Sequence, residues 1–443
     1  MTQASQPDLI IAPRWIIPVE PALTVLTEHA LLVSNGRILG LEKCAAARHN
    51  YPDTTWIERP NHVLIPGLIN AHTHAAMSLL RGYADDMSLE SWLSEHIWPA
   101  EQQWVSREFV RDGTDLAILE MIRGGTTCFQ DMYFFPDEVA AVAAERGIRA
   151  LAGMIVLNAP TVWAADTDEY LARGLVVHDR YRDHPLVDTS FAPHAPYTVD
   201  DDAFKRIITL ANQLDVNIHI HVHETANEIQ NALDTTGMRP LARLEKLGLL
   251  SPQLNAVHMT QLDTEEIELL AARGISVVHC PESNMKLASG ICSLEPLIAA
   301  GINVALGTDG AASNNDLDML GELRSAALLA KVHSGNAATL PANVALEMAT
   351  INGARALGIA NETGSLVTGK SADMVCVDLS APSCQPVHNP LSQLVYSAQR
   401  DQVSDVWVAG RQLYGENGFT TMNATEILER ANAWLNRMQD NPS

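Results

Sequence analysis

Two histidines stand two residues apart in His72-Thr73-His74, and three more alternate in His219-Ile220-His221-Val222-His223, directly before Glu224. His258 and Asp309 each close a short apolar run. Imidazole nitrogens and a carboxylate oxygen are the donors a Zn2+ or Fe2+ site uses, and an adjacent carboxyl can give and take protons. With 16 His in 443 residues, chance alone supplies about 0.6 His-x-His pairs, so the spacing counts only if position supports it.

Position is set by the strands. Eight strand-like runs follow Pro66: Gly67 to His72, Thr126 to Met132, Arg149 to Leu157, Val187 to Pro193, Val216 to Val222, Asn255 to Met259, Ile275 to Cys280 and Asn303 to Gly307. They alternate with amphipathic stretches such as Phe109 to Arg123 and Thr264 to Arg273, which is the texture of βα units. The economical fold is an α/β (β/α)8 barrel, TIM-like, over residues 66–364, with its active site at the C-terminal ends of the strands. His72 and His74, His221, His258 and Asp309 then come from strands one, five, six and eight and converge on one rim. Strand alternation puts all three histidines of the fifth run on one face, but one ion cannot use three from a single strand. His221 is the best-placed ligand there; His219 and His223 read equally well as structural.

Before the barrel, Leu9-Ile10-Ile11, Trp15-Ile16-Ile17, Ala30 to Val33 and Ile38-Leu39 read as short strands, with Asn35-Gly36 as a hairpin turn. After it, β texture returns in Ala372 to Leu379 and Val403 to Val408. Residues 1–65 and 365–423 are expected to pair into one small β-sandwich module, and 424–443 to form a helix packed on the body through Ile427, Leu428, Ala431, Trp434, Leu435 and Met438.

Composition limits the partners. Lys plus Arg is 29 against 53 Asp plus Glu, a formal charge of −24, and no basic run occurs, so a nucleic-acid polymer or an anionic membrane surface is a poor partner. No apolar stretch is long enough to cross a bilayer, and no positive-then-apolar leader opens the chain. Six scattered cysteines without a Cys-x-x-Cys pair suit a reducing compartment, so the expected location is the cytoplasm.

Pro66-Gly67-Leu68-Ile69-Asn70-Ala71-His72-Thr73-His74, the segment His221-Val222-His223-Glu224, and Gly307-Thr308-Asp309-Gly310-Ala311-Ala312-Ser313-Asn314-Asn315 closely resemble the amidohydrolase superfamily. The resemblance is narrower with its 5′-methylthioadenosine/S-adenosylhomocysteine deaminase branch. It covers nearly the whole chain, since Gly364-Ser365-Leu366, Gly369-Lys370 and Ala372-Asp373 match the family's return into its β module.

The resemblance implies that His72, His74, His221 and Asp309 hold one divalent ion, Zn2+ or alternatively Fe2+, with His258 beside the water it activates. Binuclear relatives place a carboxylated Lys at the end of the fourth strand; here that stretch is Phe191-Ala192-Pro193-His194, and no Lys lies between Lys43 and Lys205. A bound divalent ion lowers the pKa of water to about 7. Asp309 and His258 would orient that water and accept its proton, and Glu224 would protonate the ring nitrogen and pass a proton to departing ammonia. Glu101, His194 and Ser313 match positions that contact the nucleoside: the ribose hydroxyls for Glu101, the nucleoside for His194, the purine for Ser313. Plainer readings are a helix-start carboxylate for Glu224, a solvated helix residue for Glu101 and a turn cap for Ser313. His279 and Cys280 are read as packing residues or as supports for the ligands.

Relatives that accept S-adenosylhomocysteine are expected to present an Arg to its carboxylate. The matching third strand, Ala150 to Leu157, has none, and Ala159-Pro160-Thr161-Val162-Trp163 follows, so 5′-methylthioadenosine is the expected substrate ahead of S-adenosylhomocysteine and adenosine. The expected assembly is a homo-oligomer, a dimer or tetramer, acting on a small purine nucleoside. The alternatives are a guanine-type deaminase or triazine hydrolase, which needs no ribose contact, and a catalytically silent scaffold, which would show a degraded set of site residues.

Overall fold

The computed structural model describes residues 6–440. Runs of Val, Ile, Leu and Ala that are buried on both faces form eight strands: Leu68–Thr73, Thr126–Tyr133, Arg149–Val156, Val187–Pro193, Ile218–Val222, Leu254–His258, Ser276–His279 and Val304–Leu306. Each pairs in parallel with the next in chain order, and helices such as Arg107–Arg123 and Thr264–Arg273 pack outside them. This is the expected barrel.

Closure between the last strand and the first combines side-chain and main-chain hydrogen bonds. Thr308 donates its N–H to Asn70 Oδ1 at 3.0 Å, Asn70 Nδ2 donates to Thr308 Oγ1 at 2.8 Å, and Asp309 N–H reaches His72 O at 3.0 Å. Gly307 permits this approach, because a Cβ there would lie 2.7 Å from His72 N and 2.8 Å from His72 Cβ. The closure that completes the barrel thereby also brings Asp309 against His72.

The chain ends form one mixed nine-stranded sheet separate from the barrel. Leu9–Ile16 is a single strand where two short ones were expected; its parallel pairing with Thr55–Pro66 slips between Pro13 and Trp15, so the chain crosses its proline without stopping. Thr55–Pro66, absent from the expected strands, is the central link, parallel to Leu9–Ile16 and antiparallel to Met374–Asp378. The Asn35-Gly36 turn forms as expected, both residues with positive φ, and meets the Ala409-Gly410 turn of the other arm, so the sheet curls over an apolar layer that includes Ile11, Leu31, Leu64, Met374 and Trp407.

The helix Ala424–Asp440 lies on Arg107–Arg123: Ile427, Trp434 and Met438 are buried, and the Trp434 ring meets Phe109 edge-on at 5.3 Å. Leu428 and Leu435, expected on the packed face, are exposed, because the buried ridge follows the narrower 427–434–438 line. Residues 441–443 of the expected helix lie outside the described residues. No helix among the described residues is long and apolar enough to cross a membrane.

Candidate metal centre and active site

His72, His74, His221 and Asp309 each offer one ligand atom, all within 4.8 Å of one another. Asp309 Oδ1 lies 3.2 Å from His72 Nε2 and 3.1 Å from His74 Nε2, and the Nε2 atoms of His72 and His221 face each other at 3.1 Å. The outer ring nitrogens are held by fixed partners. His74 Nδ1 meets Met132 O, His221 Nδ1 donates to His194 O at 2.8 Å, and His72 Nδ1 pairs with His219 Nε2 at 2.8 Å. Backbone acceptors on Nδ1 fix the tautomer that leaves the Nε2 lone pair pointing inward, as a ligating imidazole requires. Burial pushes His72 down to about 4 and His221 well below its ordinary value.

Asp309 is set from its other oxygen: Oδ2 accepts from Ser283 Oγ and Ser313 Oγ, both at 2.7 Å. Burial opposes its ionisation, but the histidine hydrogen bonds outweigh that and hold it well below the usual carboxylate range. His74 moves the other way. Its contact with Asp309 overcomes burial and raises it to about 9, so a divalent ion entering here displaces a proton. Three imidazoles and one carboxylate in a single buried cluster fit a divalent ion of the zinc type.

Three strand ends turn into the site through backbone that non-glycine residues seldom adopt: φ is 55° at His223, 74° at His258 and 64° at Asp309. His258 stacks on His221 with centroids 5.4 Å apart, and its Nδ1 is 2.9 Å from Asn284 Oδ1. With that oxygen as acceptor for Nδ1, Nε2 is the ring nitrogen turned to the site, 3.7 Å from Glu224 Oε2. Glu224 is buried, which raises its carboxyl above the ordinary value.

Above the cluster opens a cavity of about 810 Å3 whose wall includes His74, Glu101, Tyr133, His194, His221, Glu224, His258, Asp309 and Ser313. Glu101, on the helix Trp98–Trp104, accepts from Tyr133 OH at 2.7 Å; burial pushes its carboxyl up to about 7 although that bond pulls the other way. The His194 ring bonds Thr198 Oγ1 at 3.0 Å. Ser313, assigned to the purine on sequence, lines the cavity but has its hydroxyl on Asp309 and 3.1 Å from Gly310 O. His223 stands apart and accepts Leu241 N–H at 3.2 Å, which is a structural role, and His219 supports His72. His279 and Cys280 are buried and absent from the cavity wall.

Sequence reading missed Tyr133, Ser283 and Asn284. The last two follow the seventh strand on the short helix Pro281–Lys286, where a proline at the first turn and polar residues at the same rim were the available signal.

The amidohydrolase family model matches residues 63–413. The chain belongs to the amidohydrolase family. It is 48% identical over 438 residues to the 5-methylthioadenosine/S-adenosylhomocysteine deaminase of Teredinibacter turnerae, covering 99% of each chain. A zinc-bound adenosine deaminase from Xanthomonas campestris superposes with a TM-score of 0.97 at 51% identity, over 98% of this chain and 99% of that one. Atrazine chlorohydrolase from Arthrobacter aurescens shares the fold, with a TM-score of 0.89 at 24% identity, over 96% of this chain and 100% of that one. As with its deaminase relatives, this chain is a hydrolase acting on C–N bonds.

Proposed function

We propose that this amidohydrolase deaminates adenine nucleosides and prefers 5′-methylthioadenosine, converting it with water to 5′-methylthioinosine and ammonia. The observation that carries the preference is the cavity wall, which has apolar groups such as Leu89, Leu93, Trp98, Leu157 and Val162 and no Lys or Arg among its described residues. An adjoining cavity contains Lys205 and Arg243, but Lys205 is taken by Asp202, and Arg243 by Asp201 and the carbonyl of Val199. The carboxylate of S-adenosylhomocysteine would meet no cation on the described wall of the deamination cavity and, in the adjoining one, only cations already paired with Asp202 and Asp201.

His72, His74, His221 and Asp309 are assigned as ligands of one Zn2+; the fourth strand ends in Pro193-His194, with no lysine to bridge a second ion. When bound, the ion supplies a water acidic enough to ionise near neutral pH. His258, its Nδ1 fixed by Asn284, and Asp309, its Oδ2 fixed by two serines, orient that water and accept its proton. Glu224, whose carboxyl burial raises above its ordinary value, gives a proton to the ring nitrogen, takes up the proton of the added hydroxyl as the carbonyl forms, and passes it to the departing ammonia. Glu101 accepts from the ribose hydroxyls, and His194 flanks the nucleoside.

Ammonia release from 5′-methylthioadenosine, S-adenosylhomocysteine, adenosine and guanine tests the reading. The expected order of kcat/KM puts the methylthio compound first; a higher value for S-adenosylhomocysteine overturns the preference, and guanine as the sole substrate overturns the substrate class. Glu224→Gln should keep its metal and lose about 10²- to 10⁴-fold in kcat.

A further inference from the structure

We infer that the same site deaminates adenine nucleosides carrying longer apolar or aromatic 5′-thioethers as well as, or better than, the methylthio compound. The inference rests on the function proposed above and extends its substrate class. The reacting ring carbon must lie at the floor of the cavity, against His258, Glu224 and the ligand cluster, and the ribose diol belongs to Glu101 and Tyr133. What remains for the 5′ group is the more exposed part of the wall, at Trp98, Val162 and Tyr197, together with the half-buried Leu89 and Leu93, which border an adjoining cavity.

Two features of that outer wall bear on what fills it. Trp98, Val162 and Tyr197 are 44%, 45% and 52% exposed, three large apolar groups together at one mouth, whereas most such groups in the chain are buried. The cavity, at about 810 Å3, lies in the upper part of the roughly 300–1,000 Å3 range of pockets that enclose drug-sized ligands. One methyl group on sulfur would leave much of this apolar surface wet. A butyl or benzyl group would cover it.

Each methylene moved from water onto such a wall improves binding by up to about fourfold. Part of that gain goes to freezing added torsions, so the stiff benzyl group should profit more than butyl. A charged tail gains less, because the described wall of this cavity has no Lys or Arg, and Lys205 and Arg243 of the adjoining cavity, which shares Leu89, Leu93, Trp98 and Tyr197, are already paired with Asp202 and Asp201.

The test is ammonia release by the metal-loaded enzyme from 5′-methylthio-, 5′-butylthio-, 5′-benzylthio- and 5′-(3-carboxypropylthio)-adenosine. The expected result is kcat/KM for butyl and benzyl equal to or above methyl, and for carboxypropyl at least tenfold below butyl. A tenfold or greater fall from methyl to butyl overturns the inference and leaves the methylthioadenosine assignment standing. Failure to deaminate the methylthio compound removes the assignment and the inference with it. As an independent check on placement, Val162→Asp should lower the butyl-to-methyl ratio about tenfold; an unchanged ratio places the 5′ group elsewhere and overturns the inference.

Discussion

The Glu228 carboxylate reaches back past the first residue of its own helix and accepts the backbone N–H of Glu224 at 2.7 Å. Its other oxygen accepts His223 N–H at 3.1 Å, while Thr225 caps the helix Ala226–Thr236 in the usual way. The turn that aims Glu224, already strained at His223, is therefore clamped by a half-buried carboxyl that desolvation pushes up to about 7. Hydrogen bonds to such a group are worth about 0.5–1.5 kcal/mol each while it is neutral and about 1.5–3 kcal/mol once it is ionised. Glu228→Ala should lower kcat about tenfold to hundredfold with the metal retained and KM little changed, and Glu228→Gln should recover part of the loss. Steady-state kinetics beside metal analysis separate this from general unfolding, which would move all three quantities.

The support under His72 predicts a different split. His219 Nε2 is, among the described residues, its side-chain partner on the outer ring nitrogen, and both rings are fully buried. Outer partners of ligating histidines typically contribute tenfold to hundredfold in metal affinity. His219→Phe should weaken zinc binding by that factor, measured by competition with a chelator, and activity should return when excess Zn2+ is added. Activity that stays low at saturating metal would mean that His219 does something other than orient His72.

The barrel and the convergence of its ligands were legible in the sequence because both rest on strand periodicity. Buried parallel strands read as apolar runs, and alternation alone puts His72 beside His74 and singles out one face of the fifth strand. Thr55–Pro66 was not legible, since Pro60, Asn61 and His62 interrupt its β texture and its pairing depends on strands from both ends of the chain. Glu228 is the third residue of its helix and bonds backbone only four and five residues back, so the Thr225-x-x-Glu228 spacing was a local signal for it. Ser283 and Asn284 looked like polar loop residues, and what they do depends on distances between loops, which no local pattern encodes. Ser313 shows the same limit: the position was right for the rim, but its hydroxyl is committed to Asp309.

Barrel closure can be tested at one atom. Alanine at Gly307 would put a methyl within 2.8 Å of both His72 N and His72 Cβ, and backbone cannot yield as a flexible side chain can. Overpacking of this kind costs about 1–3 kcal/mol. Gly307→Ala should lower the Tm and also weaken metal binding, because the displaced residue is one of the four proposed ligands. A lowered Tm with unchanged metal affinity would show that His72 does not move with the strand end.

Recognition of the ribose should depend on pH through Glu101, whose carboxyl burial raises to about 7. Only the ionised form offers both oxygens as acceptors to the diol, so binding should strengthen as pH rises through that value. Between pH 6 and pH 8 the ionised fraction changes by roughly tenfold, and the Kd for 5′-methylthioinosine should fall by about that factor. Using the product keeps the protonation of Glu224 during catalysis out of the measurement. A bound cation moves the midpoint downward, in the same sense as the Tyr133 hydrogen bond, without changing the sign. Tyr133→Phe removes that bond and should shift the midpoint to higher pH, and Glu101→Gln should flatten the profile. Titration calorimetry of the metal-loaded protein across this range decides it: a pH-independent Kd in the unmutated chain would mean that Glu101 is already fully ionised or does not touch the sugar.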